Sequence, residues 1–293
     1  MSLELFSKLP DGSLEINPLK HMTFPYYLCT DPPNTVAVVP AAGLSGAIPM
    51  NVTQEGPFEG MCFTGQWTNP VTMTIEDRSA RRILMNQPIH IANIVGGTAG
   101  AAGDGDVKIS PFILPQTLFL HQRRTLSVNF TDLGVAGANV RFAIGGRRFY
   151  PTAAGSPKLD NFIKKKLERY NIAVPYFLTT DNPAVFVGAG TATFRMTIGP
   201  DGHFVGHKIM YVTNLGADPT MYLSDAETGR IIMNGLPAAG IMQAADAMGT
   251  GMGPYIFPEP WFIERNGAIN LTITTAGAGT VWPCIAGVKL YVG

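Results

Sequence analysis

Apolar and polar residues alternate along this chain in short bursts, and only one stretch follows the period of a helix. Period-2 runs predict half-buried β-strands, because successive side chains of a strand point to opposite faces of a sheet. Gly, Pro, Asn and Asp clusters cut the runs, as turns do. The clearest runs are Val71, Met73 and Ile75; Leu126, Val128 and Phe130; Phe194, Met196 and Ile198; and Ile269, Leu271 and Ile273.

The second half of the chain repeats the first. Segments recur in the same order while the distance between the copies shortens, which indicates that they differ mainly in loop length. Each copy holds about eight predicted strands, the number typical of a jelly roll. The predicted fold class is therefore all-β, with two tandem similar β-sandwich (jelly-roll-like) domains, an N-terminal arm and one linker helix. The repeated segments are 24–31 and 174–181, Arg82–Asn86 and Arg230–Asn234, Pro111–Pro115 and Pro254–Pro258, and 143–150 and 284–291.

The repeat divides the chain into four predicted segments. Residues 1–22 lie outside the repeat and form an arm, which is either a disordered tail or a segment that packs on a neighbouring subunit. Residues 23–150 are the first β-sandwich domain and 174–293 are the second. Residues 151–173 are a linker that contains the helix.

The linker helix is predicted from its apolar spacing, with Asp160 as the expected N-cap. Its apolar face consists of Phe162, Ile163, Leu167 and Tyr170, and its other face of Lys164, Lys165, Lys166 and Arg169. Two interpretations of the basic face stay open: a solvated surface, or contact with an acidic partner or packaged nucleic acid.

The composition favours an assembly subunit. Charged residues make up only 14%, with 21 basic and 21 acidic side chains, so no overall field steers the protein to nucleic acid or to an anionic membrane. Such a surface promotes association. No apolar run is long enough to span a bilayer, and the N-terminus does not resemble a signal peptide. Three cysteines in unrelated contexts, Cys29, Cys62 and Cys284, predict reduced and buried thiols.

No residue pattern predicts catalysis, a cofactor or a metal site. His203 and His207 are four apart but lack a third ligand nearby, and Asp104 and Asp106 form only a fragment of a calcium loop. Ser45 misses the last glycine of a nucleophile elbow. The acids Glu76–Asp77 and Asp225 recur between the copies, but they are more easily turn residues. We therefore expect a protein that is not an enzyme.

Three motifs resemble stretches of bacteriophage virion structural proteins. They are 82–88 (RILMNQP), 111–120 (PFILPQTLFL) and 126–133 (LSVNFTDL). The resemblance covers both copies, and it implies a virion subunit of the tandem jelly-roll or β-sandwich type, assembled in the host cytoplasm. Its partners would be other virion proteins and further copies of itself, as a trimer or dimer, without specific nucleic-acid recognition or membrane insertion.

The resemblance leaves several roles open. A non-enzymatic decoration or minor capsid protein is slightly favoured, because the two copies are still recognisable in sequence. The alternative is a double-jelly-roll major capsid protein, whose trimers present six similar domains as a hexagonal tile. A further alternative is a tail-associated adhesin for surface carbohydrate, which predicts exposed, coplanar aromatic rings around Trp67 or Trp261.

The predicted contact residues lie in the arm, in a glycine-rich loop and on the linker helix. They are Leu3, Leu5, Phe6, Leu9, Gly96, Asp104, Asp106, Lys164, Lys165, Lys166 and Arg169.

Overall fold

The computed structural model describes residues 6–8, 14–16, 23–30, 37–41, 43–95, 111–134, 137–150, 157–215, 219–237 and 254–291. The chain opens with an antiparallel ribbon of β1 (Phe6–Lys8) and β2 (Leu14–Ile16), in which Phe6 pairs with Ile16. The ribbon pairs with no other described strand, and it lies in the segment predicted to be an arm.

Ten strands form the first sandwich. They are β3 (Thr23–Cys29), β4 (Ala37–Val39), β5 (Ile48–Asn51), β6 (Phe58–Trp67), β7 (Val71–Asp77), β8 (Arg82–Ile83), β9 (Ile89–His90), β10 (Phe112–Leu120), β11 (Thr125–Asp132) and β12 (Ala138–Phe149). One sheet has the order β10-β6-β12-β3, with β4 also on β12. The facing sheet has the order β5-β11-β7-β8, with β9 also on β7. A short 3-10 helix, Ile91–Asn93, follows β9.

Helix α1 (Pro157–Ile172) leads to the second sandwich. Its strands are β13 (Ala173–Thr179), β14 (Ala184–Phe186), β15 (Gly190–Thr197), β16 (Gly202–Thr213), β17 (Thr220–Asp225), β18 (Ile231–Pro237), β19 (Tyr255–Ile263), β20 (Ala268–Thr275) and β21 (Gly279–Tyr291). One sheet has the order β13-β21-β16-β19, with β14 also on β21, and the other has the order β15-β20-β17-β18.

The two sandwiches have the same connectivity. Strand for strand, β3, β12, β6 and β10 correspond to β13, β21, β16 and β19, and β5, β11, β7 and β8 correspond to β15, β20, β17 and β18. Two facing antiparallel sheets with this strand order form a jelly roll. The predicted fold class is therefore confirmed, whereas the limits of the four segments remain predictions.

Strand register defines equivalent residues in the two jelly rolls. Tyr26 pairs with Gly146 and Tyr176 pairs with Gly287, so each pair occupies the same place. A bulge follows at the same point of each long strand, with Met61 as the extra residue in β6 and His207 in β16. Because a bulge shifts all later pairing by one residue, its repetition shows that the duplication extends to local backbone geometry.

Apolar side chains on the inner faces of the sheets form the cores. In β11, Leu126, Val128 and Phe130 are all buried, as their alternation predicts. Burying each such side chain contributes about 1.5–3 kcal/mol relative to leaving it in water. Each jelly roll therefore has a core that holds its two sheets together.

Helix α1 begins at Pro157, so the prediction of Asp160 as its N-cap was wrong. Proline is favoured in the first turn of a helix because its missing N–H would lack a partner there in any case. Asp160 lies within the helix. Phe162 packs on Phe149 at 5.4 Å between ring centroids, which fixes α1 against the end of the first jelly roll.

Candidate functional site

Two aromatic residues of the first jelly roll contact the second jelly roll. Phe177 on β13 is fully buried, and its ring lies 5.9 Å from Phe63 and 5.9 Å from Phe112, measured between centroids. Phe177 points away from the core of its own jelly roll, since its neighbours Tyr176 and Leu178 point inward. The outer face of the β13-β21-β16 sheet is therefore an internal interface, and Met210, Cys284 and Ala286 are buried on it.

A backbone connection reinforces this packing. The segment 84–86 of the first jelly roll runs parallel to β13 and adds to its edge: the N–H of Phe177 donates to the carbonyl of Leu84 at 2.9 Å. The amide of Asn86 donates from Nδ2 to the Thr179 carbonyl at 2.8 Å and accepts the Thr179 N–H at 2.9 Å. Because edge strands expose unpaired backbone groups, this segment closes the edge of the second jelly roll.

Two cations complete the junction. Arg82 donates from Nη2 to the Asn171 carbonyl at 2.8 Å, and its guanidinium lies 4.3 Å from the centroid of the Tyr291 ring. Lys208 donates from Nζ to the Ile113 carbonyl at 2.9 Å and lies 5.0 Å from the Phe112 ring. Burial in the junction lowers the pKa of Lys208.

Each side of this junction has an equivalent surface elsewhere in the molecule, and these equivalent surfaces are more exposed to solvent. Tyr27 is equivalent to Phe177 and is 62% exposed on the outer face of β3. Pro25 and Cys29 beside it are exposed as well, whereas their equivalents Pro175 and Thr179 are buried. No described strand or bridge pairs with the outer edge of β3. This surface of β3 is called the β3 face below.

The second jelly roll has the complementary open edge. Its β19 occupies the place of β10, with Tyr255 equivalent to Phe112; Tyr255 is partly exposed, but Phe112 is fully buried. Arg230 is exposed in the place of Arg82, and the sequence Arg230–Asn234 repeats Arg82–Asn86. This edge is called the β19 edge below. The repeat of this segment is visible in the sequence. Its role is not, because only the structure shows that Arg82–Asn86 connects the first jelly roll to the second.

A buried cation beside an acid and a tyrosine ring recurs in both jelly rolls. Arg148 pairs with Glu55 at 2.8 Å and lies 3.7 Å from the Tyr26 ring. In the equivalent place, Lys289 pairs with Asp201 at 2.5 Å and lies 4.5 Å from the Tyr176 ring. Burial, with the nearby charge of Asp201 and the neighbouring Tyr291, raises the pKa of the Tyr176 hydroxyl. The phenol therefore stays neutral, and the cluster is a structural support at the base of each jelly roll.

The predicted contact residues remain predictions, and the structure describes only some of them. Leu3, Leu5, Leu9, Gly96, Asp104 and Asp106 lie outside the described residues, and Phe6 lies in β1. Lys164, Lys165 and Arg169 are exposed on α1, whereas Lys166 binds the buried Glu59 at 2.5 Å. Burial alone would raise the pKa of Glu59, but Lys166 and Arg147 hold it below its usual value. Lys166 therefore fastens the helix to its own chain.

A cleft of about 670 Å³ lies between the jelly rolls at the end opposite α1. His90 lies in it between Trp67 and Trp282, with ring centroids at 6.0 and 5.0 Å, and its Nδ1 accepts the N–H of Ala92. Burial lowers the pKa of His90 to about 4.

Trp67 is buried and Trp261 is partly buried against Phe257, so the described residues show neither as the exposed platform an adhesin predicts.

The acids that recur between the two copies are structural. Asp77 and Asp225 both cap the turn that follows their strand, the first through Ala80 N–H and the second through Thr228 N–H. Within the described residues, no three His, Cys, Asp or Glu side chains are placed to hold a metal ion. The three cysteines are free thiols, but Cys29 is exposed, so the prediction of burial was wrong for it. No described helix is long and apolar enough to cross a bilayer.

No protein-family model matches the chain, and no curated protein matches it. Among solved structures, it is similar to the major capsid protein P2 from bacteriophage PM2, with 10% identity, a TM-score of 0.46, and coverage of 92% of this chain and 98% of that one. It is also similar to a chain in the atomic structure of Sulfolobus Turreted Icosahedral Virus, with 13% identity, a TM-score of 0.44, and coverage of 92% and 91%. At these values the likeness concerns the fold alone.

Proposed function

We propose that the protein is a shell-forming structural subunit of a virus particle, whose copies associate head to tail. One observation carries the proposal: both surfaces of the contact that joins the two jelly rolls are repeated at the two ends of the molecule, where no described strand pairs with them. Within a copy, β13 packs against segment 84–86 and β10. In the same way, the β3 face of one copy packs against the β19 edge of the next copy.

Two pairs of residues on the open surfaces correspond to pairs in the internal junction. Tyr27 takes the place of Phe177 and meets Tyr255, which takes the place of Phe112. Arg230 takes the place of Arg82 and meets Tyr150, which takes the place of Tyr291. Because the two surfaces differ, the contact is heterologous, and it forms a closed ring where the rotation between successive copies closes.

Ring closure connects this contact to the role. Each copy contributes two jelly rolls, so a closed ring of three copies presents six, as in the hexagonal tile of the double-jelly-roll major capsid alternative. A decoration protein, slightly favoured by the sequence, needs surfaces fitted to a different shell protein. Here the open surfaces fit each other, which favours the shell-forming role.

The test is the oligomeric state of the Tyr27→Arg variant. We expect the unaltered protein to be a trimer by native mass spectrometry, and the variant to be a monomer with unchanged circular dichroism. An arginine on the β3 face would be buried without a partner in the contact but is solvated in the free chain. Val187→Arg is the matched control, because Val187 is 99% exposed and lies on neither surface. A monomeric unaltered protein, or a trimeric Tyr27→Arg variant, would refute the proposal.

A further inference from the structure

We infer that the α1 end of the molecule binds the phosphate backbone of a nucleic acid, without sequence preference. This end, called the basic end, contains α1 and the turns 52–57, 78–81, 121–124, 198–201, 226–230 and 264–267. The inference rests on the proposed function in one respect, which is that the basic end faces the inside of the shell. Binding to nucleic acid is a property of the free subunit and can be measured without the shell.

Two arginines of the basic end have backbone conformations that are unfavourable for arginine. Arg81 has a φ of 52° and Arg123 a φ of 61°, in the left-handed region that glycine and asparagine tolerate best. The equivalent turn positions of the second jelly roll are Gly229, with a φ of 66°, and Asn266, with a φ of 61°. The same turns therefore form with residues suited to them, yet the first jelly roll carries arginine at both. Strain of this kind is retained where the side chain has a use.

Among the turns that the structure describes, charged side chains are concentrated at this end. Arg78, Arg81 and Arg123 are exposed on the turns, and Lys164, Lys165 and Arg169 are exposed on the adjoining helix. In the described turns at the opposite end, Asp181 is the only acidic or basic side chain apart from histidine. The field of the subunit is therefore directional although its net charge is zero, and it attracts anions to one end.

The carboxylates at the basic end are partly committed to other partners. Glu55 and Asp201 pair with the buried cations Arg148 and Lys289. Asp201 also lines a groove with Arg81. Glu168, Glu227 and Glu264 are exposed at this end as well, but the exposed cations outnumber the exposed carboxylates. These cations are Arg78, Arg81, Arg123, Lys164, Lys165, Arg169, Arg230 and Arg265. The planar guanidinium groups of the arginines suit phosphate oxygens.

A nucleic acid fits this surface better than a lipid bilayer does. Proteins that lie on a membrane insert apolar or aromatic side chains between the headgroups, in addition to basic ones. The described turns of the basic end carry no Trp, Tyr or Phe. Binding to phosphates alone gives weak, salt-dependent affinity, which suits a contact repeated over many subunits of a shell.

The test compares the purified protein with the Arg81→Gly/Arg123→Asn double variant. These substitutions install the residues of the second jelly roll, so they remove two charges and relieve the backbone at the same time. Binding to a short mixed-sequence DNA duplex is measured by fluorescence anisotropy over a salt series. The variant should bind more weakly, and its slope of log affinity against log salt should be smaller by about 2, which is roughly 0.9 per lost phosphate contact.

The control variant is Arg141→Gln/Arg195→Gln, which removes two exposed arginines that lie away from the basic end. It should keep the affinity and the slope of the unaltered protein. An equal loss in both variants, no effect of Arg81→Gly/Arg123→Asn, no DNA binding at low salt, or binding to anionic vesicles instead of DNA would each overturn the inference. Oligomeric state is measured on the same samples, so failure here is distinguishable from failure of the proposed function.

Discussion

Single glycine residues set how closely the long strands of each jelly roll approach. A Cβ on Gly146 would lie 2.0 Å from the carbonyl oxygen of Glu59, and a Cβ on Gly287 would lie 2.1 Å from that of Val205. These glycines are equivalent and stand beside equivalent bulges. Contact with a backbone atom cannot be relieved by turning a side chain, so neither position has room for any other residue.

Gly146→Ala should therefore destabilise the first jelly roll, by roughly 2–4 kcal/mol, as overpacking against a rigid backbone does. The measurement is the free energy of unfolding in urea. Gly188→Ala is the control, because no atom lies within 4 Å of a Cβ there. Equal stability of the two variants would show that β6 and β12 can separate at the bulge at little cost.

His90 should make stability depend on pH. Its pKa is about 4 in the folded protein against an ordinary value of 6.5, so the unfolded chain takes up the proton first. The free energy of unfolding should then fall as the pH drops from 6.5 to 4, by up to about 3 kcal/mol, and the loss should level off below that range.

The His90→Asn variant isolates this contribution, since an asparagine oxygen can still accept the Ala92 N–H but does not titrate. The difference in unfolding free energy between the unaltered protein and His90→Asn should shrink with falling pH. His121→Gln, at an exposed site, is the control and should leave the pH profile unchanged. A constant difference from pH 6.5 to 4 would contradict the prediction.

At the scale of elements, helix α1 depends on a buried ion pair with the sheet beneath it. Glu59 is 1% exposed and is held by Lys166, Arg147 and the hydroxyl of Thr117. Breaking a buried pair by removing one partner is costly, because the remaining charge loses its compensation. The helix is therefore locked to the first jelly roll chiefly at one side chain of its basic face.

Lys166→Met should destabilise the protein by about 1–3 kcal/mol and speed hydrogen exchange in α1. The neighbouring Lys165→Met removes the same charge from an exposed site and should change neither quantity. Hydrogen–deuterium exchange with mass spectrometry measures both variants. Equal protection of α1 in both would show that Phe162 and its neighbours hold the helix without the ion pair.

Strand periodicity and the internal repeat were sufficient to predict two tandem jelly rolls, because alternation and turn residues are local signals. Local signals failed where distant segments meet. Nothing in the spacing of the lysines on α1 separates Lys166, which reaches Glu59, from its exposed neighbour Lys165. The repeat Arg82–Asn86 was visible as well, but its pairing with β13 joins strands that are remote in sequence, and so its role became clear only from the structure.

At the scale of the whole molecule, the proposed contact joins two different surfaces, the β3 face of one copy and the β19 edge of the next. A mixture of two variants, each with one of these surfaces blocked, tests this arrangement. Tyr27→Arg blocks the β3 face and Tyr255→Arg blocks the β19 edge, so each variant alone should be monomeric. In a mixture, the intact β19 edge of the first fits the intact β3 face of the second, while the remaining pair of surfaces carries two arginines that repel each other. The mixture should therefore stop at dimers that contain one copy of each variant, which native mass spectrometry resolves by mass. Rings in the mixture would mean that the substitutions do not block the contact. Monomers only would mean that the intact β3 face and the intact β19 edge do not bind each other, and dimers of a single variant would mean that the contact uses the same surface on both copies.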